Sequence, residues 1–267
     1  MGTRPPRMKA RVTDHARNTT LELLLPAILL GAWWFVSAGS TSQYFPALST
    51  ILAEFHRVWL FSHFSSDAVP TLEHLAVGIC VATVIGIAVG VALGSVALLA
   101  DACAPVLELV RATPIVALLP IGLLLLGIGP RFQIAVIVYG ATWPILLNTV
   151  DGVRAIDPVL RDLARSYQVP RLVQLFKITI PAASPNIMAG MRTAVSLAVS
   201  VVIFSELIGA TNGIGYQILQ AQHMFAVSEV WAGMILLGIL GYLINVLFRG
   251  VEHLVLRRHR GRRHPSR

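Results

Sequence analysis

Residues 157–185 read DPVLRDLARSYQVPRLVQLFKITIPAASP, a charged stretch set between two long apolar blocks. It carries Asp157, Arg161, Asp162, Arg165, Arg171 and Lys177, while the chain on either side is oily enough to lie in lipid. A bilayer core holds no water to satisfy charged side chains or open backbone, so a polar, helix-prone insert of this size projects out of it.

The composition around the insert sets the class. The chain has 267 residues, of which 13% are charged, against about 25% in a soluble domain. Hydrophobic residues make up 55%, and two extended apolar stretches exceed the ~20 residues that cross a bilayer as a helix. These numbers predict an all-α, polytopic membrane bundle. Its expected parts are a basic tail over 1–20, a transmembrane domain over 21–250 with the polar loop at about 151–185, and a second basic tail over 251–267.

Six spans are predicted, at about 21–38, 75–99, 114–128, 132–150, 186–208 and 229–248. Trp33 and Trp34 suit an interfacial belt on the first. That block could be mistaken for a cleaved signal peptide ending at Val36-Ser37-Ala38, but its length and tryptophan pair favour a retained anchor. Residues 40–70 are mixed and expected on the outer surface, with a turn at Phe45-Pro46 and a helical run from Thr50 to Trp59. Gly78, Ala82, Gly86, Gly90 and Gly94 recur every fourth residue on the second span. They form one ridge of small residues that lets another helix approach closely. Of the 21 Lys and Arg residues, only Arg57 and Arg131 fall on the predicted outside, leaving 19 in cytoplasmic segments or at their membrane ends. Parity and charge bias together place both termini and the 157–185 loop inside the cell. The same rule accounts for the arginine-rich ends without nucleic acid, with anionic lipid as a further attractor. Cys80 and Cys103 have no metal-ligand spacing and imply no disulfide framework.

The loop carries a motif. Asp162-Leu163-Ala164-Arg165-Ser166 is followed by an apolar-periodic run and then Ile178-Thr179-Ile180-Pro181. This resembles the "EAA" loop of ABC-importer permeases, Glu-Ala-Ala, then Gly, then Ile-x-Leu-Pro. Asp162 stands for the Glu, Leu163 for the first Ala, and Gln168 for the Gly that lets two short helices bend. Gln reaches positive φ less easily than Gly, though Pro170 can break the helix instead. The resemblance extends to Arg111-Ala112-Thr113-Pro114 with Leu119-Pro120, Leu126-Gly127-Ile128-Gly129, Trp143-Pro144 through Thr149, Gly190-Met191-Arg192, and Glu206-Leu207-Ile208-Gly209 with Gly213-Ile214-Gly215-Tyr216. The ordered set is similar to permeases of the nitrate, sulfonate and taurine type.

What the resemblance implies is the type I importer permease fold in a prokaryotic inner membrane. Two copies, a homodimer, would form the pathway for a small solute, an anion such as a sulfonate, nitrate or taurine. Two ATPase subunits would dock on short cytoplasmic coupling helices, and an extracytoplasmic solute-binding protein would deliver substrate. The expected coupling set is Asp162, Leu163, Ala164, Arg165, Ser166, Gln168, Arg171, Phe176 and Pro181. The chain lacks a Gly-x-x-x-x-Gly-Lys-Ser/Thr run to cradle phosphates, so ATP and Mg are expected on the partner, with no cofactor, metal or catalytic residue on this chain.

Pathway candidates come from helical geometry. Arg192, Ser196, Ser200 and Glu206 fall within an arc of about 120° on the fifth span, and polar residues inside a membrane helix usually face a bundle interior or a watery cavity. Capping of local backbone or pairing across the dimer competes for Glu206, and snorkelling to the interface competes for Arg192. Phe132, Tyr139 and Trp143 share a face of the fourth span, as packing or as an aromatic wall around substrate. Three other readings are weaker. A secondary transporter should show inverted repeats or deep ionisable groups. A membrane enzyme should show more than the scattered His56, His63, His74 and His223. An osmolyte permease of the glycine betaine type would differ in substrate, not in mechanism.

Overall fold

In the computed structural model, which describes residues 24–25 and 28–260, the apolar blocks are helices joined by short connections. In chain order they are α1 (Ile28–Ser37), α2 (Leu48–Arg57), α3 (Val69–Ser95), α4 (Ala97–Ala112), α5 (Ile115–Leu126), α6 (Pro130–Arg154), α7 (Pro158–Ser166), α8 (Arg171–Gln174), α9 (Ile180–Gly209), α10 (Ile214–His223) and α11 (Val227–Arg260). Two wide-turned π segments, Val58–Ser62 and Phe64–Ala68, lead from α2 into α3.

The small-residue ridge sets the closest helix contact. Gly78 lies against Ile137, Gly86 against Ile145, Gly90 against Thr149 and Gly94 against Val153. A methyl group at Gly78 would sit 2.5 Å from the Ile137 Cγ2, and one at Gly90 would sit 2.8 Å from the Leu146 carbonyl oxygen. Any larger side chain would force α3 and α6 apart, since a packed interior has no slack for an extra methyl. Each partner lies 59 residues further along the chain (137 less 78, 153 less 94), so α3 and α6 run parallel. The segment between them must therefore carry the chain back across the bundle.

That return differs from the predicted third span. α5 has 12 residues, about 18 Å at 1.5 Å per residue, too short for a hydrocarbon core of about 30 Å. It joins α4 at a 90° bend, and between the parallel α3 and α6 the pair together carries the chain back. The cause is local: Thr113 precedes Pro114 and is held extended, at φ −74° and ψ 118°, because a proline disfavours the α conformation in the residue before it. The predicted second span likewise stops at Ser95, with Val96 extended at φ −124°, and α4 starts anew. By length and composition the described residues hold four membrane-crossing helices, or five with the bent pair, and α1 adds a shorter apolar helix. The start of the predicted first span, 21–23 and 26–27, lies outside the described residues, as do 1–20 and 261–267 of the basic tails.

α9 packs antiparallel to α6 and closes the main core, where Leu75, Phe132, Ile137, Ile145, Ala198 and Val201 meet. A second core joins α2, α10 and α11 through Ile51, Trp59, Ile214, Ile218 and Leu236. One end of the bundle carries α7 and α8, the loop end. The opposite end carries the 210–213 connection and the π segments, and there Gly129 N–H donates to the Gly209 carbonyl at 3.0 Å.

Candidate coupling loop and pathway face

The loop end is built by capping. Asp157 is the N-cap of α7, accepting the Val159 N–H at 2.9 Å, and Pro158 fills the first helical position, where no N–H is needed. Arg161 Nη2 donates to the Val153 carbonyl at the end of α6, which ties α7 to the span that precedes it. α7 then ends in a Schellman motif: Gln168 N–H donates to the Arg165 carbonyl at 2.9 Å and Val169 N–H to the Ala164 carbonyl at 3.0 Å. That motif needs one left-handed residue, and Gln168 supplies it at φ +50°. The position where the similar loops carry Gly is thus left-handed in this chain with a Gln side chain. Pro170 follows extended, at φ −54° and ψ 140°, and opens α8.

Gln168→Gly is expected to stabilise the turn by about 1 kcal/mol, because the left-handed region costs a side chain roughly that much. Amide exchange should slow across α7 while uptake stays unchanged. Faster exchange would mean that the Gln168 side chain makes a contact worth more than the strain.

From α8 the chain does not break again. Arg171 to Gly209 is one continuous helical run of 39 residues, longer than the predicted fifth span by its whole loop-end portion. Pro181 lies in it without ending it. Proline removes an N–H and crowds the preceding turn, and the helix widens into a π turn over Leu175–Thr179, with Ile180 N–H donating to the Leu175 carbonyl. Such a bulge is how a helix absorbs this local mismatch.

Of the expected coupling residues, Ala164 is buried under α7. Leu163 is 48% exposed and Phe176 63%, and beside them Tyr167 at 79% and Leu172 at 71%, both outside that set, are exposed as well. Asp162 and Arg165 stand 3.9 Å apart, both largely in solvent, and an exposed pair of this kind is worth little. Arg165, Gln168 and Arg171, with Ser95 and Val96 from the α3–α4 junction, line a cleft of about 800 Å³.

The proposed pathway arc divides. Arg192 pairs with Glu252 of α11, and Ser196 Oγ donates to Asn245 Oδ1 at 2.9 Å, so both help hold α9 against α11. Ser200 stays exposed on the same stripe. Glu206, near the far end of α9, is 1% exposed. Its carboxylate accepts the Gly215 N–H at 2.8 Å and the Thr71 hydroxyl at 2.6 Å. Beside it, Asp67 Oδ1 accepts the Gly213 N–H at 3.0 Å, and Thr71 Oγ1 accepts the Ile214 N–H at 3.0 Å. Asp67 is itself held by His63 Nδ1 at 2.8 Å and Ser66 Oγ at 2.6 Å. Three successive backbone amides are thus clamped by α9 and the start of α3. Gly213 sits at φ +121°, and a Cβ there would lie 2.5 Å from the Glu206 carboxyl carbon, so the clamp requires glycine.

Each residue of the aromatic face of α6 has contacts within the chain. Phe132 is fully buried, filling the space beside Gly122 and Gly209. Tyr139 Oη donates to the Val110 carbonyl at 2.9 Å, satisfying an end carbonyl of α4 at the 90° bend. Trp143 stacks edge-on against Tyr139 at 5.9 Å between centroids. Reasoning from sequence missed Asp67 and Thr71. The one available signal was an Asp two residues before Val69-Pro70, a helix-start pattern.

Comparison with known proteins agrees with this arrangement. The family described as "Binding-protein-dependent transport system inner membrane component" matches residues 82–261. The chain is 30% identical over 239 residues to the nitrate import permease protein NrtB of Synechocystis sp., covering 86% of each chain. It is 27% identical over 248 residues to the taurine transport system permease protein TauC of Escherichia coli, covering 89% of each. Its fold superposes with a TM-score of 0.62 on a chain of the inward-facing MetNI methionine ABC transporter, at 22% identity, covering 71% of this chain and 94% of that one. A polytopic helical bundle with a capped polar loop between α6 and α9, matched over most of its length by such relatives, belongs to the binding-protein-dependent inner-membrane component family, the permease subunits of ABC importers.

Proposed function

We propose that this permease works as one of two identical membrane subunits, that a separate ATPase docks on α7 and α8 at the cytoplasmic face, and that an extracytoplasmic binding protein delivers a small anion to the opposite face. The observation that carries the reading is the set of exposed apolar side chains, Leu163, Tyr167, Leu172 and Phe176, on a capped loop anchored to the ends of α6 and α9. Exposed apolar residues on a rigid element that projects from the membrane favour a protein partner. With the loop end inside the cell, both termini are cytoplasmic. Nitrate and taurine, named for relatives matched over most of their length, both carry an anionic group, which supports the anion class. ATP and Mg belong to the partner in this reading.

The run from α8 through α9 gives a mechanical route. Its 39 residues span about 58 Å as a helix, from the loop face to the clamp at Glu206. A partner that binds the loop differently in two states shifts the equilibrium between them by that difference in affinity, and a continuous helix carries the displacement to the far end. The test is uptake of nitrate or taurine by vesicles holding the purified complex with its binding protein. ATP-dependent uptake that survives an ionophore supports the reading. Uptake that follows an ion gradient and ignores ATP overturns it in favour of a secondary transporter.

A further inference from the structure

A small cavity lies between α3, α4 and the loop-end third of α6, at the entry to the polar loop. Its volume is about 170 Å³. Leu93, Leu107 and Leu147 form its apolar wall, and Glu108, Arg111 and Arg154, all exposed, complete it. Neither Arg111 nor Arg154 has a carboxylate within 4 Å among the described residues, and Glu108 pairs with neither. The rim therefore carries one net positive charge beside an oily slot.

Position decides what fills it. Leu93 and Leu147 belong to membrane-crossing helices near their loop ends, where hydrocarbon gives way to headgroups. Ala100 and Leu107 of α4 pack there against Leu93 of α3 and Leu146 of α6. An apolar wall with two guanidiniums on its rim that have no carboxylate partner among the described residues matches the two halves of an acidic phospholipid. Basic pockets between transmembrane helices on the cytoplasmic side recognise such headgroups, and Arg suits phosphate because its planar fork offers paired donors. We propose that this cavity is a binding site for an anionic phospholipid, with one acyl chain in the slot and the phosphate between Arg111 and Arg154.

The probe is phosphatidylglycerol, with phosphatidylcholine as the neutral control. The full chain, purified in detergent and stripped of lipid, is titrated with each, and retained lipid is counted by native mass spectrometry. Phosphatidylglycerol should be retained and phosphatidylcholine should not. Arg111→Ala with Arg154→Ala should weaken retention roughly tenfold or more, since each arginine near the headgroup contributes a several-fold attraction. Arg111→Lys with Arg154→Lys should keep most of it, which separates loss of charge from loss of fold. Ala104→Trp, on the α4 wall, should displace the lipid with both arginines in place. Equal retention of the two lipids, or no change in the double alanine variant, overturns the proposal. So does competition by glycerol phosphate with no effect of Ala104→Trp, which would make this an anion site without a chain. A change in the chain's own oligomeric mass with lipid unaffected would make the cavity a contact between copies and equally overturn it.

Discussion

Glu206→Ala should lower stability by about 2–5 kcal/mol, while Glu206→Gln should cost less than about 1 kcal/mol. The alanine variant leaves the Gly215 N–H without its acceptor and opens a cavity in a packed site where Glu206 itself is 1% exposed. Each buried polar group left unsatisfied costs about 1–3 kcal/mol. Glutamine can restore the set. Its carbonyl can accept the Gly215 N–H and its amide can donate to Thr71 Oγ1, while the Thr71 hydroxyl turns to the Asp67 carbonyl, 3.0 Å away. The melting temperature of the purified chain in detergent reads the difference, and amide exchange at 213–215 localises it. Equal losses in the two variants would mean that the negative charge, not the hydrogen bonds, holds the connection.

The second large effect concerns docking. Leu163→Glu with Phe176→Glu should abolish retention of an ATPase subunit while leaving the chain folded. Both side chains are about half or more exposed, so new charges there meet water in the free chain and cost little. In a docked complex the same charges would be buried without partners, which costs several kcal/mol. Asp162→Ala with Arg165→Ala should weaken retention much less, because that pair is held only at 3.9 Å in solvent and sets register more than it binds.

The parts legible in the sequence are those governed by local spacing. The ridge of Gly78, Ala82, Gly86, Gly90 and Gly94 announces a close helix contact through its four-residue period alone, and α6 supplies the partner. The turn after Ser166 was less legible: Gln stands where similar loops carry Gly and reaches positive φ less easily, and only the folded chain shows Gln168 adopting it. The bend between α4 and α5 was not, because hydropathy averages across Pro114 and reads the apolar run after it as a span by itself. The length of the α8–α9 run was hidden for the converse reason: Pro181 reads as a stop, and the π turn that accommodates it has no signature in composition. The clamp was least visible. Thr71 and Glu206 are 135 residues apart and Asp67 and Gly213 are 146 apart, so only the packing of α3 beside α9 brings them together. For Glu206 the sequence leaves open a pathway role, a cap on local backbone and a pair across the dimer, and the folded chain shows it accepting the Gly215 N–H.

The central claim is that α7 and α8 couple this permease to an ATPase. Its most direct test is co-purification from the native membrane, with ATPase activity assayed on the eluate, for the unaltered chain and for Leu163→Glu with Phe176→Glu. The account predicts that the unaltered chain brings down a nucleotide-binding subunit with measurable ATPase activity, and that the double variant, present in the membrane in equal amount, brings down none. Retention of an active ATPase by the double variant, or purification of the unaltered chain without one, would contradict it.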